Sequence, residues 1–251
     1  FHELELLNSI AEEYGHDVDI MLRITPGVEA HTHEYIQTGQ IDSKFGFTLT
    51  DGQAMEGVKA AVNSPKLNLT GLHYHIGSQI FDMEPFRHTT ALMMEFIAQI
   101  KEETGQEIYE LDVGGGFGIF YTQGDRPRNP EDWAEAVMTT VQEKARYYGL
   151  TVPLVIIEPG RAISGPAGIT LYTIGSFKEV TGIRKYIAVD GGMTDNIRTA
   201  LYGAQYSALL ANKADQQPVE TVSIAGKCCE SGDMLIWDIR LPQVESGDIL
   251  A

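Results

Sequence analysis

Apolar residues in the first 160 positions follow two alternating patterns. In one they recur every three or four residues, as Leu4, Leu7 and Ala11 do, which indicates a helix with one buried face. In the other they form short continuous runs bounded by turn residues, which indicates a buried strand. Helices are predicted at residues 2–14, 50–62, 85–103 and 130–148, strands at 18–24, 67–75, 107–113 and 153–157, and a long loop at 28–49.

Strands that alternate with helices in this way are parallel. An open doubly wound sheet and a (β/α)8 barrel both satisfy the pattern. His73, Ser78, Gly114 and Glu158 follow the carboxyl ends of successive strands, which is where barrel enzymes place their sites, whereas an open sheet would concentrate them at one switch point. We therefore predict that residues 1–161 are the C-terminal half of a (β/α)8 barrel.

The pattern changes after Arg161. β-rich segments separated by glycine-containing turns predict strands at 169–178, 185–189, 219–225 and 234–237, and apolar spacing favours a helix at 198–211. We predict a second, mostly antiparallel domain in residues 162–251. The chain begins inside a predicted helix and ends at the start of a predicted strand, so we expect truncation at both ends and an incomplete second domain.

Composition narrows the classes of function. The chain has 18 Lys and Arg against 35 Asp and Glu, a net charge of −17, which argues against nucleic acid as the main partner because phosphate backbones require clustered cations. No run of 18 apolar residues is present, so we expect no membrane span. The two cysteines, Cys228 and Cys229, are adjacent and form no disulfide framework, which favours a reducing compartment.

A glycine run, Gly114 to Gly118 with Phe117 inside it, follows the third predicted strand. Glycines allow backbone N–H groups to approach a phosphate closely. The spacing matches neither the dinucleotide-binding fingerprint nor the P-loop. A tight turn without a ligand explains such a run equally well, so the run alone does not decide between them.

His73 and His75 end the second strand, and strand alternation places them on the same face. They could form a metal pair, or a ring-stacking histidine followed by a phosphate-binding Ser78, or be satisfied core histidines. A zinc site requires further ligands, and the sequence contains neither an HExxH nor a paired CxxC motif. We therefore expect no metal.

Glu158, three residues before Arg161, ends the fourth strand. A carboxylate buried at that position requires a partner, either a structural arginine or a protonated ring nitrogen. Arg198 and Tyr202, four residues apart, would share a helix face and could bind a carboxylate, although a solvated surface pair is the commoner arrangement.

Cys228 and Cys229 precede Glu230 in the run Cys-Cys-Glu-Ser-Gly-Asp. A reactive thiol beside an acid is one interpretation, and two small buried residues at a turn is the other.

The order of these motifs resembles a known family. His-x-His-Ile-Gly-Ser-Gln is followed by Gly-Gly-Gly-Phe-Gly, Glu-Pro-Gly-Arg, Asp-Gly-Gly-Met and Cys-Glu-Ser-Gly-Asp, and Ser-Lys-Phe-Gly precedes them at 43–46. Together they resemble the fold-type III pyridoxal-phosphate-dependent decarboxylases, and within them the diaminopimelate decarboxylases, over essentially the whole chain. The resemblance implies an alanine-racemase-like barrel, pyridoxal 5'-phosphate as the cofactor, and a cytoplasmic homodimer with shared active sites. It also implies decarboxylation of meso-2,6-diaminopimelate to L-lysine and CO2, the last step of lysine biosynthesis.

The same resemblance implies roles for individual residues. His75 would stack against the pyridine ring, and Glu158 would keep the ring nitrogen protonated. The residues expected around the cofactor phosphate are Ser78, Gly114, Gly115, Gly116, Gly160 and Arg161. The substrate would be bound by Arg161, Arg198, Tyr202 and, at its distal end, Glu230, while Cys229 would donate a proton to the reacting carbon. In the family the Cys-Glu segment reaches across a dimer interface into the partner's site.

Three departures from the family pattern matter. The Schiff-base lysine of the family would precede residue 1, so we expect this chain alone to be inactive. A late family tyrosine would follow Ala251, and Cys228 stands where histidine is common, which makes a swap of roles with Cys229 conceivable.

Three alternatives remain. Ornithine- or arginine-type decarboxylases of the same fold tend to have Asp where Glu230 stands. A non-catalytic homologue would keep the fold but not the reaction. A phosphate-binding barrel that uses flavin or a sugar phosphate would explain the glycines but not the Cys-Glu-Ser-Gly-Asp segment.

Overall fold

The computed structural model describes residues 1–27 and 43–251, which fold as two compact units. The first unit contains Phe1–Ile119 and Arg126–Gly165, and the second contains Phe120–Asp125 and Pro166–Ala251. The domain boundary between residues 161 and 162 stays a prediction. Most of the loop predicted at 28–49 lies outside the described residues.

The first unit consists of parallel strands and helices. Its strands pair in the order β2-β1-β3-β4-β5, and every pairing is parallel, as predicted. The prediction of a loop as far as residue 49 was wrong at its end, because Phe47 and Thr48 form the short strand β2, which pairs with the end of β1. In chain order the elements are α1 (His2–Tyr14), β1 (Val18–Thr25), β2 (Phe47–Thr48), α2 (Gln53–Val62), β3 (Leu67–His73), α3 (Glu84–Thr104), β4 (Glu110–Asp112), α4 (Pro130–Tyr148), β5 (Leu154–Ile156) and α5 (Gly160–Ser164).

Helices α1 and α4 have the predicted bounds, α3 extends one residue beyond its prediction at each end, and α2 begins at Gln53 rather than at residue 50. The short helix α5 was not predicted. Pro130 occupies the first turn of α4, where its missing N–H costs nothing, and Gly149 ends the helix with a φ of 65° that a side chain would strain. Between the helices and the sheet, the rings of Phe86, Phe117 and Trp133 pack with centroids 4.6 to 5.6 Å apart. This aromatic cluster holds α3, α4 and the loop after β4 together.

The prediction that residues 153–157 form a buried strand was wrong in one respect. The strand exists as β5, but it pairs only with β4 and lies at the edge of the sheet. The Leu154 side chain is therefore 62% exposed. A run of apolar residues predicts a strand without showing which neighbours cover it.

The second unit contains one five-stranded sheet in the order β10-β6-β7-β8-β9. Its pairings are antiparallel except that of β7 with β8, which is parallel, so the sheet is mostly antiparallel, as predicted. The predicted helix at 198–211 ends early, because Gly203 adopts a left-handed conformation with φ 60°. The elements are β6 (Tyr172–Val180), β7 (Arg184–Val189), α6 (Arg198–Tyr202), β8 (Glu220–Ala225), β9 (Met234–Leu241) and β10 (Ile249–Leu250).

Among the described residues, none of the helices combines the length and the apolar character that crossing a membrane requires.

Candidate active site

Three polar side chains meet at the carboxyl edge of the parallel sheet. His73 at the end of β3 lies opposite Asp112 at the end of β4, and Asp112 lies opposite Ile156 of β5, two residues before Glu158. One nitrogen or oxygen atom of each of His73, Asp112 and Glu158 lies within 4.8 Å of the other two. The His73 Nε2 atom lies 3.5 Å from Glu158 Oε2.

The two carboxylates of this group have different surroundings. Asp112 is 8% exposed and accepts a 2.8 Å hydrogen bond from the Gly114 N–H. Burial raises the pKa of Asp112, the Gly114 hydrogen bond opposes that shift, and the charge of Glu158 adds to it. The Glu158 side chain is 54% exposed, which corrects the expectation of a buried carboxylate. It lies beyond the end of an edge strand, so a ligand can reach it.

A fourth charged residue stands beside this group. Arg23 of β1 lies opposite His73, and its guanidinium carbon is 4.4 Å from the centre of the Phe45 ring. Burial lowers the pKa of Arg23, and the negative charge of Glu158 partly offsets this effect. His73, Asp112 and Glu158 have the residue types of a metal site, but a neighbouring arginine charge opposes a bound cation. The cluster is better suited to a neutral or hydrogen-bonding partner.

The glycine run packs tightly against the neighbouring strand ends. Gly114 O accepts a 2.8 Å hydrogen bond from the Glu158 N–H. A Cβ at Gly115 would lie 2.2 Å from Glu158 O, and one at Gly116 would lie 2.1 Å from Gly77 O. The backbones approach too closely for side chains, so the run forms a tight turn, and phosphate binding by it stays a prediction.

The His75 ring lies against this loop. Its Nδ1 atom accepts a 3.2 Å hydrogen bond from the Gly115 N–H, which assigns the ring proton to Nε2 and a neutral imidazole. Burial lowers the pKa of His75, the charges of Arg23 and His73 lower it further, and Glu158 opposes them. His75 is therefore held in the neutral form.

Gln79, which the site prediction omitted, connects three parts of the site. Its side chain donates to Ile119 O at 2.6 Å and accepts from the Ile119 N–H at 3.2 Å. The Arg161 Nη1 atom lies 3.5 Å from Gln79 Oε1. Ser78 is half-buried just before Gln79, and Gly160, at the start of α5, is exposed. The left-handed backbone of Gln79, with φ 60°, aims its amide at the loop, which the sequence does not indicate.

In the second unit, Arg198 and Tyr202 both lie on α6, as their spacing predicts. Arg198 Nη1 donates a 2.8 Å hydrogen bond to Tyr206 Oη. Its guanidinium carbon also lies 5.1 Å from the Tyr121 ring centre. Two aromatic residues that the sequence analysis did not single out thus hold the arginine in one orientation.

The cysteine segment turns around a buried carboxylate. Asp233 is 3% exposed and accepts hydrogen bonds from the N–H groups of Met193, at 2.7 Å, and Cys228, at 2.8 Å. The Cys228 thiol also bonds to Asp233, and this bond together with burial raises the pKa of that thiol. Cys229 and Glu230 are both exposed. The second unit therefore holds Cys228 and leaves Cys229 accessible.

The predicted site residues fall into two groups, one in each unit. The structure brings together His73, His75, Glu158 and the glycines in the first unit. In the second unit it places Arg198 with Tyr202 on one short helix, and Cys229 with Glu230 on one turn. Asp112 and Arg23 were missed, although each lies at the end of a predicted strand, which is the signal that marked the others.

Comparisons with known proteins agree with this geometry. Residues 1–165 match the family model described as the pyridoxal binding domain of pyridoxal-dependent decarboxylases. The chain is 51% identical, over all of its 251 residues, to the diaminopimelate decarboxylase of Bacillus subtilis, and equally identical to that of Bacillus methanolicus. It covers 57% and 58% of those two proteins. The chain thus spans less than two thirds of the relatives it matches.

Solved structures are similar over the same extent. The diaminopimelate decarboxylase of M. jannaschii in complex with L-lysine superposes with a TM-score of 0.88 at 37% identity, over 99% of this chain and 56% of that one. The Helicobacter pylori enzyme, also with L-lysine, superposes at 0.83 and 29% identity, over 99% of this chain and 59% of that one. These matches confirm the predicted fold class, part of a barrel followed by a mostly β domain, and the family resemblance.

A pH dependence of stability follows from His75. Because the folded protein lowers the pKa of this group below its ordinary 6.5, the unfolded chain binds the proton more readily. The His75 contribution to stability is complete above pH 6.5 and declines as the pH falls toward the folded value. Urea midpoints at pH 7.5 and pH 5.5 should differ less in His75→Gln than in the unaltered protein. His88→Gln, an exposed histidine on α3, is the control, and an equal reduction there would contradict the prediction.

The glycine loop predicts a second effect. Gly115→Ala should lower the free energy of unfolding of the first unit by about 2 kcal/mol or more, because the added Cβ meets a backbone oxygen that cannot move alone. Trp133 fluorescence during urea unfolding, in a Trp237→Phe background, measures it. Gly160→Ala is the matched control, since a Cβ there meets nothing within 4 Å. Equal losses in both variants would show that the close approach is not what requires glycine.

The hydrogen bonds of Asp233 predict a third effect on stability. Asp233→Ala leaves two partly buried N–H groups without their acceptor, so the opening free energy of β8 and β9 should fall by about 2 kcal/mol. Hydrogen exchange of peptides from these strands measures the change. Asp215→Ala, at an exposed position of the same unit, should leave exchange unchanged. Unaltered exchange in Asp233→Ala would mean that its hydrogen bonds do not stabilise the turn.

Proposed function

Because the chain belongs to the pyridoxal-dependent decarboxylase family, we propose that it forms the larger part of a diaminopimelate decarboxylase. This enzyme removes one carboxylate of meso-2,6-diaminopimelate as CO2 and leaves L-lysine. The observation that carries the proposal is the convergence of an accessible Glu158, a neutral His75 and the glycine loop at one edge of the parallel sheet. Barrel enzymes bind their ligands at this edge.

The residues of this edge fit pyridoxal 5'-phosphate. An exposed carboxylate such as Glu158 can accept a hydrogen bond from a protonated ring nitrogen, and it thereby keeps that nitrogen charged. A neutral imidazole such as His75 can stack on a positively charged ring without repelling it. His75 is kept neutral by burial and by Arg23, so the fit rests on electrostatics as well as on residue type.

The phosphate group requires donors and a positive charge. We assign this role to Arg161, Ser78 and the backbone around the glycines 114, 115, 116 and 160. Gln79 contacts Arg161 and bonds to the loop that follows the glycines, so it orients the arginine. An arginine is suited to a phosphate because its N–H groups match the oxygen spacing.

When bound, pyridoxal phosphate supplies an electron sink for the electron pair that the departing carboxylate leaves behind. The chain's own residues bind and orient the substrate. We assign binding of a substrate carboxylate to Arg198 and Tyr202 and binding of the distal end of the substrate to Glu230. Arg161, in the first unit, is assigned to substrate binding as well as to the phosphate. The aromatic contacts of Arg198 with Tyr121 and Tyr206 reduce its freedom before a substrate arrives.

We assign proton donation to Cys229 rather than Cys228. The Cys228 thiol is engaged by Asp233, which raises its pKa and disfavours its ionised form. Cys229 is exposed and directly precedes Glu230. In this assignment the Cys229 Sγ–H transfers its proton to the carbon from which CO2 has left.

Four broader statements belong to the same proposal. We propose that residues 1–161 are the pyridoxal-binding barrel portion and residues 162–251 the β domain. We also propose a homodimer with shared active sites, a cytoplasmic location, and no nucleic-acid partner. The net charge of −17 supports the last of these.

The test is CO2 release from meso-diaminopimelate, with ornithine as the comparison substrate. The assay uses the complete polypeptide that carries these 251 residues, because we expect the cofactor-binding lysine outside them. Release from diaminopimelate alone is the expected result. Release from ornithine alone would keep the cofactor but overturn the substrate, and cofactor binding without any release would favour a non-catalytic homologue.

Two cysteine variants separate the proton donor from its neighbour in this assay. Cys229→Ser should lower kcat about 100-fold, the usual contribution of a positioned general acid, because serine is a much weaker acid than cysteine. Cys228→Ser should change kcat much less. The reverse order would assign the role to Cys228.

A further inference from the structure

We propose that His73 is a positioning residue for Glu158, whose carboxylate it holds in the orientation needed at the cofactor ring nitrogen. The inference rests on the proposed function and adds a residue to it, since only His75 and Glu158 were assigned to the ring. His73 acts on the cofactor only through Glu158. It is therefore not assigned any step of the reaction.

The first argument concerns conformational freedom. Glu158 lies beyond the end of an edge strand and its side chain is 54% exposed, so its own packing does not select one rotamer. Such a carboxylate loses rotamer entropy whenever it must hold a ligand. The His73 side chain is only 16% exposed and belongs to a central strand, with its Nε2 atom 3.5 Å from Glu158 Oε2. The rigid residue can therefore orient the freer one.

The second argument concerns charge. The Asp112 carboxylate is fixed by the Gly114 N–H and lies within the same 4.8 Å cluster, where it repels a charged Glu158. The imidazole of His73 lies in the same cluster as both carboxylates, and a ring N–H placed there presents the positive end of its dipole to them. The other charged or titratable groups acting on this cluster are Arg23, which attracts Glu158, and His75, which is held neutral.

The third argument excludes a purely structural histidine. A core histidine would contact only backbone or buried groups, whereas His73 lies 3.5 Å from the accessible Glu158 carboxylate as well as near the buried Asp112. In the neighbouring strands, His73 is paired with the charged Arg23 of β1 and with Asp112 of β4. His73 thus belongs to a polar row that leads to Glu158, not to the apolar core.

The experiment compares His73→Leu and His73→Gln in the complete polypeptide that carries these residues. Apoprotein is reconstituted with pyridoxal phosphate labelled with ¹⁵N in the ring, and the cofactor affinity, the ring-nitrogen NMR shift, kcat and KM are measured. His73→Leu should weaken cofactor affinity about tenfold and lower kcat about tenfold, with KM unchanged within about twofold, as the loss of one close polar contact to the Glu158 carboxylate predicts. The ring-nitrogen shift should move toward that of an unprotonated ring.

His73→Gln retains an N–H donor at similar reach and should restore most of each property. His88→Leu, on the exposed face of α3, should leave all of them unchanged. If His73→Leu does not fold, His73→Asn replaces it, since the shorter amide is polar but does not reach Glu158.

The outcomes separate this inference from the proposed function. An unaltered protein that binds the cofactor with a protonated ring nitrogen, combined with a His73→Leu variant that behaves identically, overturns the inference and leaves the function standing. An unaltered protein that binds no pyridoxal phosphate overturns both. Loss in His73→Leu without recovery in His73→Gln would also overturn the inference, because the effect would then come from packing.

Discussion

The backbone hydrogen bonds that continue beyond the ends of β3, β4 and β5 determine the arrangement of the site in the first unit. Tyr74 N–H donates to Asp112 O, Val113 N–H to Ile156 O, and Glu158 N–H to Gly114 O. These bonds keep three chain segments parallel after the regular strands have stopped. His73, Asp112 and Glu158 can meet only because this ladder holds their segments at one level of the sheet.

The same ladder explains why glycine is required in the loop after β4. The segment that the ladder places beside Gly115 approaches it so closely that a Cβ there would lie 2.2 Å from Glu158 O. The loop's close packing brings the Gly115 N–H to His75 Nδ1, which in turn selects the neutral imidazole. The close packing of the backbone at Gly115 thus determines the charge state of the His75 side chain.

In the second unit, a side chain rather than a backbone ladder joins separate segments of the chain. Asp233 bonds to N–H groups on the turn after β7 and on the turn between β8 and β9, and so joins two turns that are far apart in sequence. Its carboxylate also engages one of two adjacent thiols. Two neighbouring cysteines of identical type therefore have different chemistry, because only Cys228 bonds to the buried acid.

Local pattern was sufficient to predict the four longer helices of the first unit, the strands β1, β3, β4 and β5, and their parallel pairing, since periodicity and turn residues depend on neighbours in sequence. The family was indicated by the order of the motifs. The order of motifs also indicated His75, Glu158 and Cys229 as candidates, and their roles remain proposals. Tertiary structure decided the rest: that β2 pairs with β1, that Leu154 and Glu158 are exposed at an edge, and that α6 ends at Gly203. It also brought His73 to Glu158 and Asp233 to Cys228. These depend on strand register and on contacts between distant segments, which no local pattern of residues records.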